Sequence, residues 1–124
     1  MRFTKIWFAV AGWWGILSLT PLFFLYNQVG LKNPPAITHP EYYFGFLAIA
    51  FAWQFGFLVL SHDPVRYRGM MLPAALEKLG YAVCCFVLVA RHLSGVSVAA
   101  FGALDLLFGL GFLVAFRNTE GRRV

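Results

Sequence analysis

"VSVAAFGALDLLFGLGFLVAF", residues Val96 to Phe116, carries one ionisable side chain in 21 positions. At ~1.5 Å per residue it makes a helix of about 31 Å, the thickness of a bilayer's hydrocarbon core. It is apolar around its whole circumference and has no face to turn to water, so it reads as a transmembrane helix. Asp105 stands at its middle, on the face formed by Gly102, Asp105 and Gly109. Aspartate is too short to reach the headgroups as lysine does, and an isolated ionised one at that depth costs roughly 3 kcal/mol. That face therefore looks inward, with Asp105 protonated, hydrated or paired. The stretch thus predicts a span and also other spans for it to pack against.

Three more runs are long enough to cross: Ile6–Tyr26, Tyr42–Leu60 and Met70–Ala90. The chain has 124 residues, 60% hydrophobic and 12% charged, where soluble domains carry about a quarter charged residues. The expected fold class is all-α, a single integral membrane domain built as a four-helix transmembrane bundle. The first run follows the basic start "MRFTK". It exceeds a signal-peptide core and lacks a small-residue cleavage motif, so it reads as an uncleaved span, bent where Pro21 leaves the Leu17 carbonyl without a donor.

The connections follow from their residues. "NQVGLKNPPAITHPEYY" reads as a loop of about 15 residues around its Pro pair. In "SHDPVRYRG", Asp63 is placed to cap a short interfacial turn that opens with Pro64. "RHLSG" is a tight link into the last span.

The formal charge of +5 is spread over the ends of apolar runs and not gathered in one block. That distribution orients helices in lipid and argues against a nucleic-acid partner. With the N-terminus cytoplasmic, Arg2, Lys5, Arg66, Arg68, Arg117, Arg122 and Arg123 fall inside and only Lys32 and Arg91 outside. This predicts both termini in.

Helices in lipid approach closely through small residues, because burial alone separates lipid from protein poorly. Two stripes offer themselves: Ala11, Gly12, Gly15 and Ser18 on the first span, and Gly45, Ala48, Ala52 and Gly56 on the second. Trp7, Trp13, Tyr26, Tyr42 and Tyr43 gather toward the ends, as interfacial belts do.

Beside Asp105, the polar groups at membrane depth are Gln54, Lys78 and Tyr81. Lys78 lies about 12 Å into its helix and Asp105 about 17 Å from the same side, a gap that a lysine stem spans. Lys78 has two options, to snorkel to the headgroups or to turn in toward Asp105. Glu77 points about 100° from Lys78; if the lysine turns inward, Glu77 is expected to meet Arg66 or Arg68 at the inner surface. Gln54, opposite the second stripe, is expected either to bond within the bundle or to line a cavity, in one cluster with Lys78, Tyr81 and Asp105.

On the other side His39 and Glu41 precede the second span, and Arg91 and His92 follow the third. Histidines there can ligate haem or a metal, but nothing fixes their spacing. They read as interfacial polar residues, with no metal site. Cys84 and Cys85 are adjacent, point about 100° apart, and form no CxxC motif.

Known small four-span families narrow the field. Multidrug transporters of the small family need an acid in the first span, which has none here. The Gly/Arg and Asn signatures of fluoride channels are missing, as is the CxxC of vitamin K epoxide-type reductases. "DPVRYRGMMLPAALEKLGY", residues 63 to 81, resembles the basic inner loop and lysine-bearing third helix of DoxX-like bacterial membrane proteins. The first span departs from that family's arginine-and-glycine opening. On position, Arg66, Tyr67, Arg68 and Lys78 correspond. The resemblance implies a helical bundle in the bacterial inner membrane with a protein partner or a quinone-like ligand.

The leading expectation is therefore a non-enzymatic inner-membrane protein of DoxX-like type. It would serve as an accessory subunit or bind a lipophilic molecule, with membrane lipids and a membrane protein or a second copy as partners. No cofactor is required, though a quinone or a lipid is compatible with the interior. The second reading is an intramembrane enzyme acting on a lipid or sterol-like substrate, with Trp53, Glu77, Tyr81 and Asp105 placed as in sterol isomerases. The third is a small proton-coupled transporter acting as an oligomer.

Overall fold

The computed structural model describes residues 2–120. Five helices account for most of them: α1 (Arg2–Leu19), α2 (Tyr26–Lys32), α3 (Pro40–His62), α4 (Met71–Ala90) and α5 (Ser97–Asn118). Four segments, Arg2–Phe23, Pro40–His62, Arg68–Ala90 and Ser97–Asn118, are long and apolar enough to cross a bilayer. The protein is an all-α, multi-pass membrane bundle, and no strand occurs among the described residues.

The bundle consists of two antiparallel hairpins, α1 with α3 and α4 with α5, joined mainly along α1 and α5. One end holds the beginnings of α1 and α4 and the ends of α3 and α5. There Ser61 Oγ donates to the Lys5 carbonyl at 2.7 Å, and the Thr4 and Thr119 hydroxyls share a buried hydrogen bond of 3.3 Å. Arg68 Nε donates to the Phe116 carbonyl at 3.0 Å, with its guanidinium 3.7 Å above the Phe116 ring. A cation is well placed there, against the open carbonyls at the negative end of α5. Arg2, Lys5, Arg66, Arg68 and Arg117 thus share this terminal end of the bundle; Arg122 and Arg123 lie outside the described residues.

The core of the terminal half is filled by buried aromatics. Phe8 stacks on Phe112 at 4.2 Å and Phe57 lies against Phe112 at 4.9 Å, amid Met71, Ala74, Ala75 and Ala115. Trp7 Nε1 donates to the Phe108 carbonyl at 3.1 Å across the α1/α5 seam. Its indole occupies the space where a Gly111 Cβ would sit, so this tryptophan packs the seam between α1 and α5. Toward the far end the hairpins diverge. Among the described aromatic pairs and side-chain hydrogen bonds, only the Phe46–Tyr81 stack at 5.6 Å joins them there.

The two small-residue stripes behave differently. Ala11, Gly12 and Gly15 are buried, the two glycines against α3, while Ser18 is exposed and donates to the Gly15 carbonyl. A Cβ on Gly12 would come within 2.9 Å of the Gln54 backbone oxygen, so close approach of α1 and α3 requires glycine. The second stripe does not pack: Ala48 and Ala52 are exposed, and a Cβ on Gly45 would meet nothing within 4 Å. Instead α3 buries Leu47, Ala50, Gln54, Phe57 and Leu60. One groove of small residues accepts large side chains from its partner; two facing stripes would leave a void.

The connections also refine the sequence reading. The first helix stops at Leu19, and the chain past Pro21 continues as a 3₁₀ turn, Thr20–Phe23. The expected irregular loop after it contains α2, whose "YNQVGLK" carries no proline; the Pro pair acts only beyond Asn33. The Tyr26 hydroxyl donates to the Ile37 carbonyl at 3.0 Å and that of Tyr43 to the Leu22 carbonyl at 2.7 Å, closing the far end of the first hairpin. Asp63 does cap a turn, its Oδ1 accepting from the Arg66 backbone N–H at 3.3 Å.

Candidate functional site

Between the diverging hairpins lies a cavity of about 260 Å³. Its far-end rim is made of exposed or half-buried apolar residues, among them Trp14, Leu22, Phe46 and Phe101. Its polar lining is Gln54 from α3, Glu77, Lys78 and Tyr81 from α4, and Asp105 from α5, with Ser18 from α1. Mostly apolar walls with a few converging polar groups are the usual constitution of a small-molecule site.

Helical geometry assembles the charged part. Lys78 and Tyr81 are three residues apart and share a face of α4. Across from them, Gly109 lets α5 approach, since a Cβ there would stand 3.2 Å from Lys78 Cβ and 2.8 Å from Leu79. That approach sets Lys78 Nζ 3.6 Å from Asp105 Oδ1, and on its own helix Glu77 Oε2 lies 3.9 Å from the same nitrogen. The lysine is 5% exposed. It turns inward and does not snorkel, with its ammonium 5.2 Å from the Phe57 ring centre and 5.7 Å from that of Phe108. Two ring faces within about 6 Å each attract a cation that water no longer solvates.

The expected pairing of Glu77 with Arg66 or Arg68 does not occur. Arg68 is engaged with Phe116, and the Arg66 guanidinium lies 5.4 Å from the Tyr67 ring centre. Glu77 joins the cavity because a 100° offset still leaves neighbouring side chains on one half of a helix, and their flexible ends converge where the other side is lipid.

Gln54 is 1% exposed and lies against Gly15, where any Cβ would overlap its side-chain amide. Its Nε2 donates to the Ala50 carbonyl at 2.7 Å, while its Oε1 has no hydrogen-bond partner. Glu77 Oε2 is likewise buried without one. Both ion-pair distances around Lys78 also exceed a direct charge-assisted hydrogen bond of about 2.7–2.9 Å. The cluster is therefore loosely held, with polar valences unfilled.

The four residues expected to cluster, Gln54, Lys78, Tyr81 and Asp105, thus line one space, and Glu77 joins them. The sequence reading missed Trp14, Gly15, Phe46, Phe101 and Leu104 as lining; in chains this rich in aromatics nothing marks those that face a cavity. The remaining polar residues stand elsewhere. His39 Nδ1 pairs with Glu41 Oε1 at 3.1 Å and its ring stacks on Tyr42 at 4.8 Å, all exposed. Arg91 and His92 are exposed in the α4–α5 link, where His92 takes φ of 58° as the left-handed residue closing α4. Leu93 N–H bonds Leu88 O at 2.9 Å and His92 N–H bonds Val89 O at 3.0 Å, the pattern of a Schellman cap. Among the described residues no three of His, Cys, Asp and Glu gather as metal ligands would. Cys84 is exposed and Cys85 buried, both as free thiols.

No protein-family model, curated protein or solved structure matches the chain.

Proposed function

We propose that this chain is an inner-membrane protein of DoxX-like type whose bundle binds a lipophilic molecule between its two hairpins. The observation that carries the reading is the cavity: a rim of exposed and half-buried apolar residues, apolar walls, and Gln54, Glu77, Lys78, Tyr81 and Asp105 converging within it. A purely structural role for Lys78 and Asp105 calls for a dry, filled core around a direct pair. Here the pair borders about 260 Å³ of space and remains looser than a hydrogen bond. The resemblance of residues 63–81 to the DoxX-like loop and third helix supports the family, and the collection of basic residues at the terminal end supports a cytoplasmic placement of that end.

The ligand's chain lies among Trp14, Phe46 and Phe101, and its head reaches Gln54, Glu77, Lys78 and Asp105. Native mass spectrometry of the protein purified in mild detergent tests this. The expected result is a retained lipophile of one or a few masses, lost from an Ala50→Leu variant that fills the cavity wall. A retained protein subunit with no lipophile moves the function to that of an accessory subunit, and a bare chain overturns the ligand-binding reading.

A further inference from the structure

We infer that the head group the cavity takes is a protonated amine, so that the ligand is a lipophilic cation with a single chain. This rests on the cavity being a ligand site and names the class of ligand. It follows from two independent counts. The first is charge: the lining holds one cation, Lys78, and two carboxylates, Glu77 and Asp105. Lys78 stands 3.6 Å from Asp105 and 3.9 Å from Glu77, so two carboxylates share a single cation. In a low-dielectric surrounding an uncompensated charge is costly.

The second count is of hydrogen bonds. The two buried atoms without partners, Gln54 Oε1 and Glu77 Oε2, are both acceptors. The assignment of the Gln54 amide is fixed by its own bond, because only the nitrogen can donate to the Ala50 carbonyl at 2.7 Å. Both therefore call for a donor, and Lys78 Nζ, at 3.9 Å, makes no hydrogen bond to Glu77 Oε2. Gln54 belongs to the first hairpin and Glu77 to the second, so one donor-rich head completes both walls at once.

An alkylammonium supplies three N–H donors and one positive charge. It takes Glu77 and Gln54 while Lys78 keeps Asp105, giving two cations against two carboxylates. The rings of Trp14, Phe46, Tyr81 and Phe101 along the cavity are walls that attract a cation. Other heads fit less well. A fatty acid brings a third carboxylate. A quinone brings only acceptors, which satisfy Lys78 and leave both orphan oxygens unmade. An alcohol brings one donor and no charge. The volume lies below the ~300–1,000 Å³ of drug-sized pockets, so the cavity holds the head and first carbons of one chain, and the rest lies between the diverging helices.

The test is titration of the purified chain, in non-ionic micelles, with dodecylamine, dodecanol, dodecanoate and a decyl-substituted benzoquinone, reading tryptophan fluorescence and confirming stoichiometry by native mass spectrometry. Dodecylamine is expected to bind at least tenfold more tightly than the other three. Glu77→Gln, which keeps shape and removes the charge, is expected to weaken dodecylamine at least tenfold and leave dodecanol within about twofold. Gln54→Met gives an independent reading should Glu77→Gln fail to fold, with a smaller loss again confined to the amine. Equal or tighter binding of dodecanoate or the quinone overturns the amine head and leaves the cavity as a ligand site. Saturable binding of none of the four overturns both.

Discussion

Lys78 Nζ stands 3.6 Å from Asp105 Oδ1 on the neighbouring helix of the same hairpin, so the pair fastens α4 to α5 and leaves the opposite wall of the cavity to Gln54. Breaking a buried pair leaves one charge uncompensated, a cost of about 3–5 kcal/mol when nothing replaces the partner. Glu77, at 3.9 Å from Lys78 Nζ, retains part of the compensation. Asp105→Asn is therefore expected to destabilise by about 2 kcal/mol, and Lys78→Met in that background to cost little more. Unfolding of the two single variants and the double variant in mixed dodecyl sulfate and maltoside micelles measures the coupling; strictly additive losses would show that the pair does not interact.

The two small-residue stripes separate in a second experiment. Gly15→Ala drives a methyl into the Gln54 amide and is expected to lose about 1–3 kcal/mol. Gly45→Ala adds its methyl to open space and is expected to be neutral or to gain up to ~1 kcal/mol from helix propensity. The same unfolding assay ranks them. Equal losses at both sites would contradict the packing of α3 described above.

The hairpins are pinned together where Trp7 crosses to α5. Trp7→Phe removes the donor to the Phe108 carbonyl and should cost about 1 kcal/mol. Trp13, exposed on the lipid side of α1, should tolerate the same change. Gly111→Ala, whose methyl meets the Trp7 indole, should cost more than Trp7→Phe. A red-shifted tryptophan emission in Gly111→Ala, absent in Trp13→Phe, would mark displacement of the indole.

His92 adopts a left-handed conformation that costs an L-residue roughly 1–2 kcal/mol. His92→Gly is accordingly expected to hold or raise stability, by up to ~1 kcal/mol, and His92→Val to lower it. The comparison is made by thermal unfolding in detergent. A marked loss in the glycine variant would show that the imidazole itself is needed.

Much of the site was legible in the sequence because polar residues at membrane depth are few and each demands a partner. Gln54, Lys78, Tyr81 and Asp105 are conspicuous for that reason, and helical spacing puts Asp105 on the glycine face of α5. The route taken by Glu77 was not legible. Residues 77 and 78 differ by 100° about the axis, and only the position of α5 and the lipid on the other side decides where their ends go. The two stripes were equally ambiguous. In water a polar face would have told α3 which side to bury, but in lipid both faces are apolar and the choice falls to shape.

Four membrane helices follow from residue order alone, since length and hydropathy along one run are local quantities that the bilayer reads directly. Asp105 in the middle of the last span likewise requires the bundle to accommodate charge at its centre. That α1 packs through small residues while α3 offers its large ones emerges from the folded arrangement of the helices. The same holds for the closing of the hairpins at the terminal end, their parting toward the other, and the turn of Lys78 into a cavity with Glu77 and Asp105 beside it. These depend on which surfaces interlock across helices far apart in sequence, and dispersion contacts of that kind leave no periodic mark on either strand of sequence alone.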